Sequence, residues 1–430
     1  MIVKKLIEKI EGEAELDFTF KNGKIEDVHI GFGFYRGIEE ILVGKVPEDA
    51  LVITPRVCGI CNHAHLLAAV RAIENGYQSQ GISVQLTSKA EKIREFTLAC
   101  EVIQNHIKWF YLVILPQLEH MMVTQSGENY ALKVSYLSST ITKALAVFAG
   151  QWPHSSYAIP GGISCDPTYV DVMQAEGFVD EAIRFFEQVM IGIPFSNYLE
   201  IESVSSLSKI NGDLRKLIDG LEVCGMLSTG QSYDRFIVFG KDMGRPSGKL
   251  IATSVANADI RYVEESEQKD TVAKAVAYKN RLYEVGPLAR GMVAKTPIVR
   301  SLHKRYKDSL YTRIFARVNE IAQLLGYCKE LLNSLSLDEP SCVLEVNKIH
   351  GSFEGVGIVE ASRGSLIHKT TVEKGKIVNY EIITPTQWNL SHGTSQEKGI
   401  AIRAMVGSKS IEEATFIFRT FDVCSVCTAQ

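Results

Sequence analysis

The stretch SKAEKIREFTLACEVIQNHIKWFYLVIL, residues 88–115, decides how this chain folds. Apolar residues recur in it with helical period, and its second half becomes almost wholly apolar. Its later part is therefore expected to be a core helix, not a surface one. Working outward, segments 128–150, 168–190, 265–285 and 308–336 read as further amphipathic or buried helices, and a last helix at about 395–415 leads into the C-terminal residues. Beyond these helices the grammar changes. AELDFTF, the Asn-Gly signal in KNGK and IEDVHIGFGF form an alternating hairpin pattern within residues 1–45. SLIHKTTV, the turn EKGK and IVNYEIITP repeat that pattern near the far end.

The expected fold class is α+β, mainly helical. One large domain is expected over 1–430: a central helix bundle over 85–340, small β-hairpin regions at 1–45 and 350–390, and a helix with the terminal motif over 391–430. Breaks fall at 151–168, 224–262 and 334–342, none of them a low-complexity linker. GFGFYRG, residues 31–37, superficially resembles a dinucleotide fingerprint, but its spacing is wrong by one and its flanks are strand-like.

Composition bounds the function. With 430 residues, 46% hydrophobic and 22% charged, the chain can bury a large core. A formal net charge of −4 gives no footprint for nucleic acid. The run Arg300, His303, Lys304, Arg305, Lys307 reads as a solvated helix face or a docking edge. No signal peptide is expected at the N-terminus and no stretch of about 18 uncharged apolar residues occurs, so no direct membrane span is expected. An odd count of nine cysteines argues against a secreted disulfide framework. Cys100, Cys165, Cys224, Cys328 and Cys342 are scattered and read as small core hydrophobes.

The other four cysteines form two Cys-x-x-Cys pairs, in PRVCGICNHAH (55–65) and FDVCSVC (421–427). Thiolates two residues apart can converge on one metal ion. The pairs lie almost the whole chain apart, whereas zinc ribbons put about 15–20 residues between theirs. A thioredoxin-like motif would need a βαβ context. A four-thiolate site joining both chain ends is the preferred reading, with structural zinc, disulfide redox chemistry and two unrelated pairs as alternatives. Soft thiolate ligands suit zinc, iron-sulfur, copper(I) or nickel.

These motifs carry a resemblance. Arg56-x-Cys58-Gly59-x-Cys61-x-x-x-His65 and Asp422-x-Cys424-x-x-Cys427 resemble the paired signatures of the nickel-iron hydrogenase large subunit. KIEGEAEL (9–16), YRGIEEIL (35–42), EASRGSL (360–366) and IITPTQWNL (382–390) resemble further blocks of that family, in family order over essentially the whole chain. The resemblance implies heterolytic cleavage of dihydrogen at a nickel-iron centre whose iron carries carbon monoxide and cyanide. Cys58 and Cys424 would be terminal nickel ligands, and Cys61 and Cys427 would bridge to iron. Cys424 and Arg363 are the implied candidate bases, Glu11 relays protons, and Asp422 lies with Arg363 in the canopy over the metals. His65 would donate to a bridging thiolate. Thr386 would bond a cyanide with Pro385 beside it, and Ser362 stands where the family usually has proline. The canopy's partner carboxylate falls at Asn105. His63 matches no family role and reads as structural. Glu39, the carbonyl of Ile382 and the side chain of Gln430 would hold a magnesium ion.

The implied partners are a small subunit carrying iron-sulfur clusters and maturation proteins, with dihydrogen as substrate. QWPHSSYAIPGG (151–162) resembles the uptake and sensory branch, and the expected location is cytoplasmic, any membrane association being carried by partners. The related quinone-site subunit of respiratory complex I lacks the cysteines, so it is disfavoured. A slow hydrogen sensor signalling to a kinase keeps all the same residues, and an interaction protein with structural zinc is the remote alternative. Ending at Gln430, where the family is trimmed after a histidine, reads either as a mature form or as a chain made without an extension, as sensory members are.

Overall fold

The computed structural model describes all residues except 1, 9–12, 34, 124–126, 241–249, 252–257, 269–270, 344–350 and 425–430. Three antiparallel strands open the chain: β1 (Ile2–Glu8), β2 (Glu13–Lys21) and β3 (Lys24–Gly31). Asn22 and Gly23 make the β2–β3 turn with φ of 52° and 75°, the conformation that an Asn-Gly hairpin favours. Ala14, Leu16 and Phe18 of β2 alternate inward and are buried. Two short helices follow, α1 (Ile38–Leu42) and α2 (Ala50–Ile53).

The helical body begins with α3 (Asn62–Ser79), α4 (Ser88–Trp109), α5 (Leu115–Met122) and α6 (Tyr130–Ala149). Thr87 caps α4 by accepting the Ala90 N–H, and Asn129 does the same for α6 at Leu132. A π-helical turn over Phe110–Ile114 joins α4 to α5. The small ladder of β4 (Ala158–Ile159) and β5 (Gly162–Ile163) precedes α7 (Tyr169–Phe185), which a Thr168–Asp171 capping box starts. Then come α8 (Phe195–Leu199), α9 (Asp213–Val223) and two small ladders, β6 (Phe236–Ile237) with β7 (Leu250–Ile251) and β8 (Val263–Ser266) with β9 (Ala275–Tyr278). Helices α10 (Pro287–Val293), α11 (Pro297–Tyr306) and α12 (Leu310–Asn333) complete the body. An antiparallel sheet of β10 (Phe353–Ala361), β11 (Gly364–Glu373) and β12 (Lys376–Ile383) leads to α13 (Pro385–Leu390), α14 (Ile400–Met405) and α15 (Ile411–Thr420).

The mainly helical expectation with small β regions near both ends holds, and helices stand at 88–109, 130–149, 169–185 and 310–333 as read. Two expectations are corrected. Among the described residues of 265–285 there is no helix, but the end of β8, then β9 and a tight turn at Lys279 and Asn280, both at positive φ. The branched and aromatic residues of Ala275–Tyr278 are all buried on a ladder with β8, so tertiary burial outweighs local helical period there. The last helix is two helices, because Gly407 turns the chain at φ 94°.

Helix α3 lies almost in contact with β10. A Cβ at Gly355 would stand 2.0 Å from the Ala72 carbonyl oxygen, and one at Gly357 would stand 1.9 Å from that of Ala68. The two ends of the chain also meet: Ile25 N–H donates to the Ser408 carbonyl at 2.9 Å and Gly407 N–H to that of Ile25 at 2.8 Å. One connected apolar core runs from Ala14 to Phe421. No helix among the described residues is long and apolar enough to cross a membrane.

Candidate metal centre

The first cysteine pair sits where a short 3-10 turn, Thr54–Val57, gives way to α3. Cys58 ends that turn in extended conformation and Cys61 is the N-cap of α3. A helix N-terminus favours a thiolate through the positive end of the helix dipole. Cys424 arrives from the other end, two residues after Asp422, whose φ of 58° turns the chain off α15. All three thiols are buried, and with Ile60 they form a separate cluster. The Cys58 and Cys424 sulfurs are 3.7 Å apart across 366 positions of sequence. That is well beyond a disulfide bond of about 2.05 Å and within the span of two thiolates bonded to one metal at about 2.3 Å each.

Cys427 lies outside the described residues, as do Glu11 and Gln430. Among the described residues no group of three or more His, Cys, Asp and Glu side chains is drawn together to hold a metal ion unaided.

Arg363 stands at the turn between β10 and β11, buried, with Nε donating to the Asp422 carbonyl at 2.8 Å and Nη2 to its carboxylate at 3.1 Å. Burial works against its charge, but Asp422, then Cys424, Cys61 and Cys58, outweigh it and hold the guanidinium well above its ordinary pKa. Arg363 is therefore in the electrostatic reach of all three described thiols. Asp422 is shared: its other oxygen accepts from Arg317 at 2.6 Å. Arg317 lies 4.5 Å over the Trp109 ring. Arg313, Arg317 and Glu320 repeat at i, i+4 and i+7 on α12, and all are buried. Arg290 clamps Glu320 with Nε at 2.9 Å and Nη2 at 2.6 Å, and its Nη1 donates to the Ala361 carbonyl at 2.9 Å. It thus fixes the strand end from which Arg363 projects. His106 Nε2 meets Glu320 at 2.8 Å and its Nδ1 faces Arg317 at 3.5 Å. Since arginine can only donate, Nδ1 accepts and Nε2 carries the proton.

His65 is buried and its Nδ1 pairs with His368 Nε2 at 3.0 Å, while His368 Nδ1 pairs with the Tyr380 hydroxyl at 2.8 Å. Burial lowers the His65 pKa to about 4, with Cys58 acting against it, so the imidazole is neutral. His63 Nε2 meets Thr97 at 2.9 Å and Tyr157 at 3.1 Å in a buried network. Pro385 and Thr386 open α13 inside the core. Three buried polar atoms in the predicted set have no hydrogen-bond partner: Ser362 Oγ, Arg363 Nη1 and Thr386 Oγ1. Asn105 Oδ1 is a fourth. Buried polar groups are rarely left so; a group with acceptor ends beside the thiols would fit the first three, which can donate, but not Asn105 Oδ1, which only accepts.

The structure also brings Glu39 and Ile382 together, through the Ile382 N–H donating to Glu39 Oε1 at 2.7 Å. Lys274 lies 3.5 Å from the same carboxylate. Burial raises the Glu39 pKa, and the Ile382 N–H and Lys274 oppose the rise.

Arg317, Arg290, Glu320, His368 and Tyr380 were not singled out from sequence. Charged residues at helical spacing in the apolar helix 308–336 were the available signal for the α12 members.

Comparison with known proteins agrees with this geometry. The family model described as nickel-dependent hydrogenase matches residues 36–137 and 251–429. The periplasmic NiFeSe hydrogenase large subunit of Desulfomicrobium baculatum is 25% identical, over 93% of this chain and 88% of its own. The hydrogenase-2 large chain of Escherichia coli is 22% identical over 99% and 96%. The reduced Ni-Fe-Se hydrogenase of D. vulgaris Hildenborough superposes with a TM-score of 0.83 at 22% identity, covering 100% of both chains. The expected cytoplasmic location is overturned here, since the relative whose name states a compartment is periplasmic and its counterparts among solved structures share the whole fold.

Proposed function

The chain belongs to the nickel-dependent hydrogenase family, and on that premise we propose that Cys58, Cys61, Cys424 and Cys427 hold a nickel-iron centre at which dihydrogen is split in the uptake direction. The carrying observation is the buried thiol cluster together with the buried Arg363, which Asp422 binds at two points two residues before Cys424. When bound, the centre would supply a redox-active metal pair able to polarise dihydrogen, its iron carrying carbon monoxide and cyanide.

This chain's own residues do the rest. Arg363 keeps a permanent positive charge in a dry pocket and has one N–H pair, on Nη1, uncommitted to protein. Asp422 sets its direction from two points. Ser362 and Thr386 offer unpaired hydroxyls for cyanide. The Tyr380 hydroxyl donates to His368, which donates to His65, and this order leaves the His65 Nε2–H to donate to a thiolate. The Cys424 thiolate is the proposed first proton acceptor and Glu11 the next. Glu39, Ile382 and Gln430 are the proposed magnesium set. Electrons pass to a small subunit with iron-sulfur clusters, and maturation proteins load the centre.

The purified complex is expected to contain nickel and iron and to show carbon monoxide and cyanide infrared bands. Zinc alone, without those bands, sinks the proposal. Cys424→Ser is expected to abolish hydrogen-dependent dye reduction; retained activity removes Cys424 from the ligand set. A turnover far below about 1 per second replaces uptake by hydrogen sensing.

A further inference from the structure

Helix α4 is buried over nearly its whole length, yet Glu101, Gln104 and Asn105 put three polar side chains on one face. All three address the loop that carries the first cysteine pair. Glu101 Oε2 accepts the His63 N–H at 2.8 Å and Oε1 the Ala64 N–H at 3.0 Å. The indole N–H of Trp152 adds a third bond to Oε2 at 3.3 Å. Gln104 Nε2 and Asn105 Nδ2 donate to the Ile60 carbonyl, at 3.1 Å and 2.7 Å. The main chain is thus gripped on both sides of Cys61.

Ordinarily the N-cap side chain satisfies the first N–H groups of a helix. Here the N-cap is Cys61, and its side chain makes no cap bond. The task has passed to a carboxyl group on another helix, which leaves the sulfur of Cys61 to face the other thiols.

We propose that Glu101 is the positioning residue of the centre: a cap delivered from α4 that fixes the first turn of α3 and thereby the direction of the Cys61 thiolate. This rests on the reading of the thiols as nickel-iron ligands. Gln104 and Asn105 hold the preceding carbonyl and so complete the grip.

The test uses Glu101→Gln and Glu101→Ala in the full complex. Glutamine keeps the volume but turns one acceptor into a donor against an N–H, so it preserves packing while removing half of the cap. The expected result is hydrogen exchange at residues 62–66 faster by at least about fivefold, the scale of a lost cap, with the centre of α12 unchanged. Nickel and iron content should fall in step, and the cyanide bands of the loaded remainder should shift or broaden. Wild-type exchange, metal content and band positions in Glu101→Gln overturn the assignment. Wild-type protein without nickel and iron overturns the preceding reading instead, and the exchange measurement still judges the cap.

Discussion

At the scale of single residues, the centre is built around Asp422, which two buried arginines share. Removing one partner of a buried pair leaves an uncompensated charge. Asp422→Ala is therefore expected to destabilise the chain by about 3–5 kcal/mol, measured by urea unfolding. Arg363→Lys keeps the charge but not the fork that binds Asp422 at two points. Hydrogen-dependent dye reduction should fall roughly 100-fold while nickel and iron content stay at wild-type level. Glu101 makes a pH prediction. Burial pushes its carboxyl up to about 8, the charge of Cys58 adds to this, and the N–H groups of His63, Ala64 and Trp152 oppose it. Its folded pKa lies above the unfolded value, so the folded chain holds the extra proton between about 4.5 and about 8. Wild-type stability relative to Glu101→Gln should accordingly decline as pH rises across that window, as followed by urea unfolding of the metal-free chain. Arg363 and Asp422 stood out only through the family resemblance of the motifs that carry them, whereas the two cysteine pairs were legible in sequence because their spacing is itself chemical. Glu101 was not, since one glutamate in an amphipathic stretch reads as surface until α3 is seen to start against it.

At the scale of elements, the contact of α3 with β10 decides where Cys61 stands. Ala68, Ala72 and Gly76 present a smooth helix face, and Gly355 and Gly357 let the strand backbone close onto it. Gly357→Ala would press a methyl group 1.9 Å from the Ala68 oxygen. The cost is expected to be about 1–3 kcal/mol or more, seen as a lower urea midpoint, with loss of nickel following from the displaced α3. Long elements such as α4 and α12 were legible because many turns repeat one apolar period. Residues 265–285 were not, because a short buried ladder and a positive-φ turn leave a pattern that a helix also satisfies. The close approach of α3 to β10 had only scattered small residues as its trace.

At the scale of the whole molecule, the sheet of β1–β3 is fastened to the C-terminal helices through Ile25, Gly407 and Ser408. His392 also bonds the Ile30 main chain, and Lys398 pairs with Asp27 at 2.7 Å. A chain lacking residues 1–31 should keep slow hydrogen exchange in the centres of α4 and α12 but lose protection over 400–424, with metal content falling accordingly. That both ends form small β regions around a helical body could be read from the two hairpin signals. That the two ends come together was carried by the cysteine pairs, one near each end; that Ile25 meets Gly407 and Ser408 could not be read, because that contact leaves no local pattern. The 366 positions between Cys58 and Cys424 also set a clock. At about 5–20 residues per second of synthesis, the first thiol pair emerges on the order of 20–70 s before the second. Throughout that interval the nascent chain carries only the first pair, so a centre that takes all four proposed thiols can close only after the C-terminal residues have emerged.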